Sequence, residues 1–204
     1  MGTRGEARLQ EITNAAIEVV SERGYYGMTI QEVADRVGIS QAGLLKYVKN
    51  KQGLFRQALT YYDTSNEARA YIEQHTTHSE SQQDQSPLLM PEYYRIIAKN
   101  SADHPQLTKL YLVLRAEATD PNHPAHEYYS KRGSRLRKEI IELPWKLPPE
   151  YDSPEKIATL TMCIGSAMEG LQLRWFGEPN IDFLAKWAEY EDILFPLPHW
   201  EGYR

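Results

Sequence analysis

Thr29-Ile30-Gln31-Glu32-Val33-Ala34-Asp35-Arg36-Val37-Gly38-Ile39-Ser40-Gln41-Ala42-Gly43-Leu44-Leu45-Lys46-Tyr47-Val48-Lys49-Asn50-Lys51 reads as two short helices around a tight turn. Ile30, Val33, Ala34 and Val37 lie three or four apart and share one helical face. Thr29 precedes that face as a cap, and Glu32 completes a capping box. Gly38 stands where a helix needs a left-handed residue to stop. Ser40 caps the second helix, whose inward face is Leu44 and Val48. Gln41, Ala42, Gly43, Lys46 and Tyr47 are left facing out. A small Ala34, a turn at Gly38 and an apolar Leu44 let two helices cross closely. The pattern is that of a helix-turn-helix, with its second helix free to enter a DNA major groove.

At these residues the chain resembles the TetR family of bacterial transcription regulators. Thr29, Ile30, Ala34, Gly38, Ile39, Ser40, Tyr47, Lys49 and Lys51 carry the resemblance, which is confined to the N-terminal part of the chain. Gln41 and Lys46 are expected to hydrogen-bond base edges, while Ala42 and Gly43 offer shape and methyl contact. Thr29, Tyr47 and Lys51 suit phosphate contacts, which fix register and carry little sequence information. One departure stands out: Leu45 occupies the position that is most often tyrosine in the family. Leucine cannot donate to a phosphate.

The chain has 204 residues and a net charge of -5, which is unusual for a DNA binder until it is divided. Residues 1–56 hold eight Lys/Arg against six Asp/Glu, and the remainder 15 against 22. From Arg36 to Arg56 there are five bases and no acid. A basic end on an acidic body suits a protein that touches DNA with one end only. The longest clean apolar run, Leu110 to Leu114, is too short to span a bilayer, and no signal peptide opens the chain. A single cysteine, Cys163, excludes an internal disulfide and fits a reducing cytoplasm. It reads as a small buried core residue.

Ahead of the motif, Leu9, Ile12, Ala16, Val19 and Val20 form the apolar face of a first helix ended by Gly24. Tyr25, Tyr26 and Met28 are expected to fill the joint after it. Beyond the motif, a helix is expected from about 51 to 74, then a solvated stretch to Ser86 without apolar residues from Glu73. All 12 prolines follow, and they punctuate further helices near 91–102, 105–118 and 124–143. Ser153-Pro154-Glu155 opens a long helix, and a last helix follows Pro179. No alternating β-branched strands occur.

These elements make the protein all-α. An N-terminal three-helix DNA-binding domain with a helix-turn-helix is expected over 1–50. A larger helical ligand-binding and dimerisation domain is expected over 51–204. The resemblance implies a small-molecule effector held among the body helices, for which Tyr62, Tyr94, Tyr111, Leu114, Tyr128, Met162 and Glu169 are candidates. It also implies that the last two helices pair with their copy in a homodimer. Ile164, Met168, Leu171, Trp175, Leu184 and Trp187 are the candidate interface, with an intramolecular core as the alternative reading of the same stripe. His75-x-x-His78 and His123-x-x-His126 have metal-like spacing without a third ligand, so no metal and no cofactor is expected. No Gly-rich phosphate loop or nucleophile elbow marks an enzyme. The function expected from the resemblance is a transcriptional regulator, a repressor released from a palindromic operator by its ligand. The alternatives are an activator, a ligand-independent DNA-binding protein of the same fold, and an all-α enzyme.

Overall fold

Helix follows wherever the apolar spacing of three and four recurs. The structure, a computed structural model, describes residues 3–64, 67–76 and 87–204. Its helices are α1 (Thr3–Gly27), α2 (Ile30–Val37), α3 (Gln41–Val48), α4 (Lys51–Thr64), α5 (Glu67–Thr76), α6 (Met90–Asp103), α7 (Pro105–Glu117), α8 (His126–Glu142), α9 (Pro154–Gly177) and α10 (Phe183–Leu194). Among the described residues, the one β-type pairing is an isolated bridge between Leu88 and Trp145. The helix expected over 51–74 is described as α4 and α5, with 65 and 66 outside the described residues. The stretch 77–86, including His78, is also outside them.

The chain packs as two compact units, which do not follow its order. The first holds Met1–Ser65 and His104–Tyr129, and the second holds Asn66–Asp103 and Ser130–Arg204. Thus α7 belongs with the N-terminal helices, since Leu107, Leu110, Tyr111 and Leu114 join the core formed by Ile12, Ala16, Val19, Leu54 and Ala58. Gly24, at φ 69 and ψ -179, interrupts α1 near its end. Tyr25 and Met28 turn inward there as expected, but Tyr26 stays 63% exposed.

The second unit closes on Tyr93, Tyr94, Ile164, Leu171, Trp187, Phe195 and Trp200. Polar side chains tie its helices together. Buried Glu191 of α10 accepts hydrogen bonds from Trp187 Nε1 at 2.8 Å and from Arg95 Nε at 2.7 Å. Gln172 donates to Ser101 at 2.9 Å. Burial keeps the two tyrosines of α6 neutral: Tyr93 is pushed from 10.0 up to about 12, and Tyr94 is pushed up as well. The folded unit therefore favours the protonated phenols. The contribution of Tyr93 is complete below the unfolded value of 10.0 and is lost as pH rises through about 12. Alkaline titration is expected to show these phenols ionising together with loss of helical circular dichroism in that window. Ionisation of every tyrosine near pH 10 with helicity intact would contradict this burial.

Candidate nucleic-acid interface

The geometry of α2 and α3 is fixed by local hydrogen bonds at the start of each helix and at the turn between them. Thr29 Oγ1 accepts the Glu32 N–H at 3.1 Å. The Glu32 carboxylate does not return the bond as a capping box requires. It lies instead 3.7 Å from Arg23 and 3.9 Å from Arg36, because two cations offer more than one backbone N–H. Gly38 adopts φ 71 and ψ 35, and the Ile39 N–H then closes on Ala34 O at 3.0 Å. Ser40 Oγ accepts the Gly43 N–H at 3.1 Å, and a Cβ at position 43 would stand 3.2 Å from that oxygen. The missing side chain of Gly43 thus serves the cap as well as any groove. Val33, Ala34 and Leu44 are fully buried, and Val48 is buried beside them.

This leaves Gln41, Ala42 and Lys46 exposed on one side of α3, with Gly43 and Tyr47 half-buried. Leu45 is half-buried too, so it packs in part and donates nothing. A major groove admits a single helix with its first turns against base edges. Residues 12–58 match the family described as "Bacterial regulatory proteins, tetR family". The chain carries a TetR-family domain.

Known proteins are similar to this chain in sequence over part of its length and in fold over most of it. The HTH-type transcriptional regulator RutR of Escherichia coli K12 is 28% identical over 110 residues, which are 52% of this chain and 46% of RutR. The chain therefore spans about half the length of the curated relatives it matches. A TetR-like transcriptional regulator from Rhodococcus sp. RHA1 has a TM-score of 0.64 at 20% identity, covering 92% of this chain and 93% of that one. The ketosteroid transcriptional regulator KstR2 of Mycobacterium tuberculosis has a TM-score of 0.57 at 18% identity, covering 95% and 94%.

The basic patch of the TetR-family domain is smaller than the sequence suggests. Arg36 lies 2.6 Å from Glu22 and 3.2 Å from Glu18, and the bond from Arg36 holds the Glu22 carboxyl below its usual value. Lys51 is half-buried and donates to the backbone oxygen of Tyr26 at 3.2 Å. Its ammonium also sits 4.6 Å over the Tyr25 ring. Lys46, Lys49 and Arg56 remain exposed. At the start of α4, Asn50 Oδ1 occupies the Gly53 N–H at 2.8 Å, a cap that sequence reasoning missed. An Asn two residues before a Gln-Gly pair was its signal.

The effector candidates divide between the units. Tyr62, Tyr111, Leu114 and Tyr128 fall in the first. The Tyr62 and Tyr111 rings stack at 5.0 Å, and Tyr129, which lies edge-on to Tyr128, donates to Tyr111 O at 3.1 Å. Tyr94, Met162 and Glu169 fall in the second, with Tyr94 buried and Glu169 half-buried. Met162 is 56% exposed on the outer face of α9, which corrects its expected place in a pocket lining.

The candidate interface also needs correction. Ile164, Met168, Leu171 and Trp187 are buried within their own unit, where α9 packs on α10. A stripe spent on the protomer's own core cannot meet a partner. The outward face of α9 carries Met162, Ser166, Gly170, Leu173 and Phe176, and Leu184 and Ile193 stand exposed on α10. Trp175 is half-buried. Cys163, expected in the core, is exposed on α9 because it lies one position before inward Ile164.

The histidines of the His123–His126 pair are engaged within the protein. His123 is buried, with Nδ1 accepting the Ala125 N–H at 3.1 Å, while His126 Nδ1 lies 2.9 Å from Ala118 O. Among the described residues no group of three metal-binding side chains forms. No helix among them is long and apolar enough to cross a membrane.

Proposed function

We propose that the protein is a DNA-binding transcriptional regulator: a homodimeric, cytoplasmic repressor that leaves a palindromic operator when a small molecule binds its helical body. The observation that carries this is the Ser40-capped α3, which presents Gln41, Ala42 and Lys46 to solvent on a rigid, buried support. A helix held so firmly while its outer face stays polar and uncovered is built to be read against something else. The effector is placed against the Tyr62–Tyr111 stack and Tyr128, where rings and phenol groups meet. Thr29 and Tyr47 take phosphate oxygens. The acidic remainder of the chain keeps the rest of the surface off DNA.

Selection from random-sequence duplex DNA tests the reading directly, and an inverted repeat is the expected product. Gln41→Ala is expected to relax the choice at particular base pairs by about 1–3 kcal/mol, with the other positions unchanged. Lys46→Ala, beside it, reports whether the second exposed polar group reads a base or a phosphate. Loss at one base pair indicates the former, and uniform loss the latter. Unaltered selection by both variants would remove α3 from the readout.

A further inference from the structure

The turn that ends α1 is built around a carboxylate from the distant helix α7. Gly24 adopts a backbone conformation open in practice to glycine alone, and a Cβ there would lie 2.0 Å from Glu117 Oε1. The break in α1 lets the Tyr25 N–H point out of the helix, and it donates to Glu117 Oε2 at 2.9 Å. The same oxygen lies 3.3 Å from Nε2 of buried His123, whose ring is edge-on to Tyr25 and Tyr26. Tyr25 in turn packs at 4.8 Å on Phe55 of α4. Glu117 occupies the last turn of α7, where the helix dipole disfavours an anion. Its stability must come from what it meets at the α1 turn.

What that turn holds is Lys51. The Tyr26 carbonyl and the Tyr25 ring, both adjoining the N–H that Glu117 holds, receive the ammonium. Lys51 opens α4 directly after the end of α3, so its side chain starts at the edge of the reading helix. Burial lowers its pKa, and the attraction of Glu117 opposes that loss. An ammonium taken up by the protein in this way is withheld from phosphate.

We propose that Glu117 is a positioning residue for DNA contact: seated in the Gly24 notch, it holds the Tyr25–Tyr26 turn that sequesters Lys51, and releasing it presents Lys51 to DNA. This rests on the DNA-binding reading given above. Tyr111 lies on the same helix as Glu117, roughly 9 Å earlier at 1.5 Å per residue, so an effector that holds α7 in place at the tyrosine stack keeps Glu117 in the notch and Lys51 withheld from DNA. The proposal makes Lys51 a variable contact, held in one state of the protein and available in another.

Glu117→Gln isolates the charge, because the amide oxygen can still accept the Tyr25 N–H. With the full chain and the duplex it selects, Glu117→Gln is expected to bind about fivefold more tightly. Its salt slope should steepen by about one. In a Lys51→Met background the same change should do nothing. Unchanged or weaker binding by Glu117→Gln overturns the proposal. So does an equal gain in both backgrounds, which would report only the loss of a negative charge. A second measurement needs no DNA. Acylation of Lys51 by a water-soluble ester, followed by peptide mass spectrometry, should be about fivefold faster in Glu117→Gln. An unchanged rate overturns the latch. If the acylation result holds while no duplex is selected, the latch stands and the DNA-binding reading falls.

Discussion

Gly170→Arg is expected to turn a dimer into a folded monomer and to weaken operator binding by about a hundredfold or more. Gly170 lies in the interior of α9 and faces outward, and a Cβ built on it meets nothing within 4 Å. Gly165, in the same helix, is equally open. A glycine in a helix interior costs about 1 kcal/mol relative to alanine. Neither a positive φ nor a close neighbour inside the protomer explains the choice. A close approach by another helix would explain it. The exposed apolar side chains Met162, Leu173, Phe176 and Leu184 share these two helices and supply the area. A second copy of the chain is the proposed occupant, because two reading heads must be held together to bind a palindrome. Arginine in that approach would place a charge and a long side chain where backbone meets backbone. Sedimentation of Gly170→Arg beside wild type reads the result, and circular dichroism confirms the fold. Gly170→Ala separates the explanations further. On a free surface it stabilises by about 1 kcal/mol, whereas at a tight interface it weakens the dimer. A variant that stays dimeric with arginine at position 170 would move the interface elsewhere.

The two halves of the molecule were legible in the sequence to different degrees. The reading helix could be found because every part of its geometry is local. Thr29, Gly38 and Ser40 act within a few residues of their partners, so spacing alone reveals them. The bounds of α6 and α7 and the start of α9 followed from prolines and apolar periodicity for the same reason. What failed was nonlocal. Nothing near Glu117 in sequence marks its bond to Tyr25, 92 residues away. Nor does periodicity tell a stripe that meets its own protomer from one that meets a copy. Ile164, Met168 and Leu171 were therefore assigned to an interface that their burial excludes. The glycines and serine at 165, 166 and 170 beside them make the helix thin enough for close packing against another helix. Small residues in a helix that need not be small for its own core point to a close neighbour. Charge misled in a related way. Arg36 counts toward a basic patch in sequence, yet α1 supplies Glu18 and Glu22 to hold it.

Gly24→Ala is expected to be the most damaging single-methyl change in the first unit. At φ 69 and ψ -179 an L-residue is held in a sparsely populated region, at about 1–3 kcal/mol. The added methyl would also stand 2.0 Å from Glu117 Oε1 and 2.9 Å from its carboxyl carbon. Glu117 must then leave the notch, and the Tyr25 N–H loses its acceptor in a part-buried site, at about 1–3 kcal/mol more. A combined loss of roughly 3 kcal/mol lowers the melting temperature by about 6–12 °C for a chain of this size. The two contributions can be separated. Glu117→Ala removes the clash and leaves the backbone strain, so in that background Gly24→Ala should cost only the smaller, conformational part. Chemical denaturation of the four proteins gives the coupling, which must be favourable and of the order of the lost hydrogen bond. Equal costs in both backgrounds would mean that Glu117 leaves the notch freely, and that glycine is required there for its φ alone. A coupling of the expected sign would show that the end of α7 and the turn before the reading head are joined through one carboxylate. The stability of that joint then sets how firmly Lys51 is held.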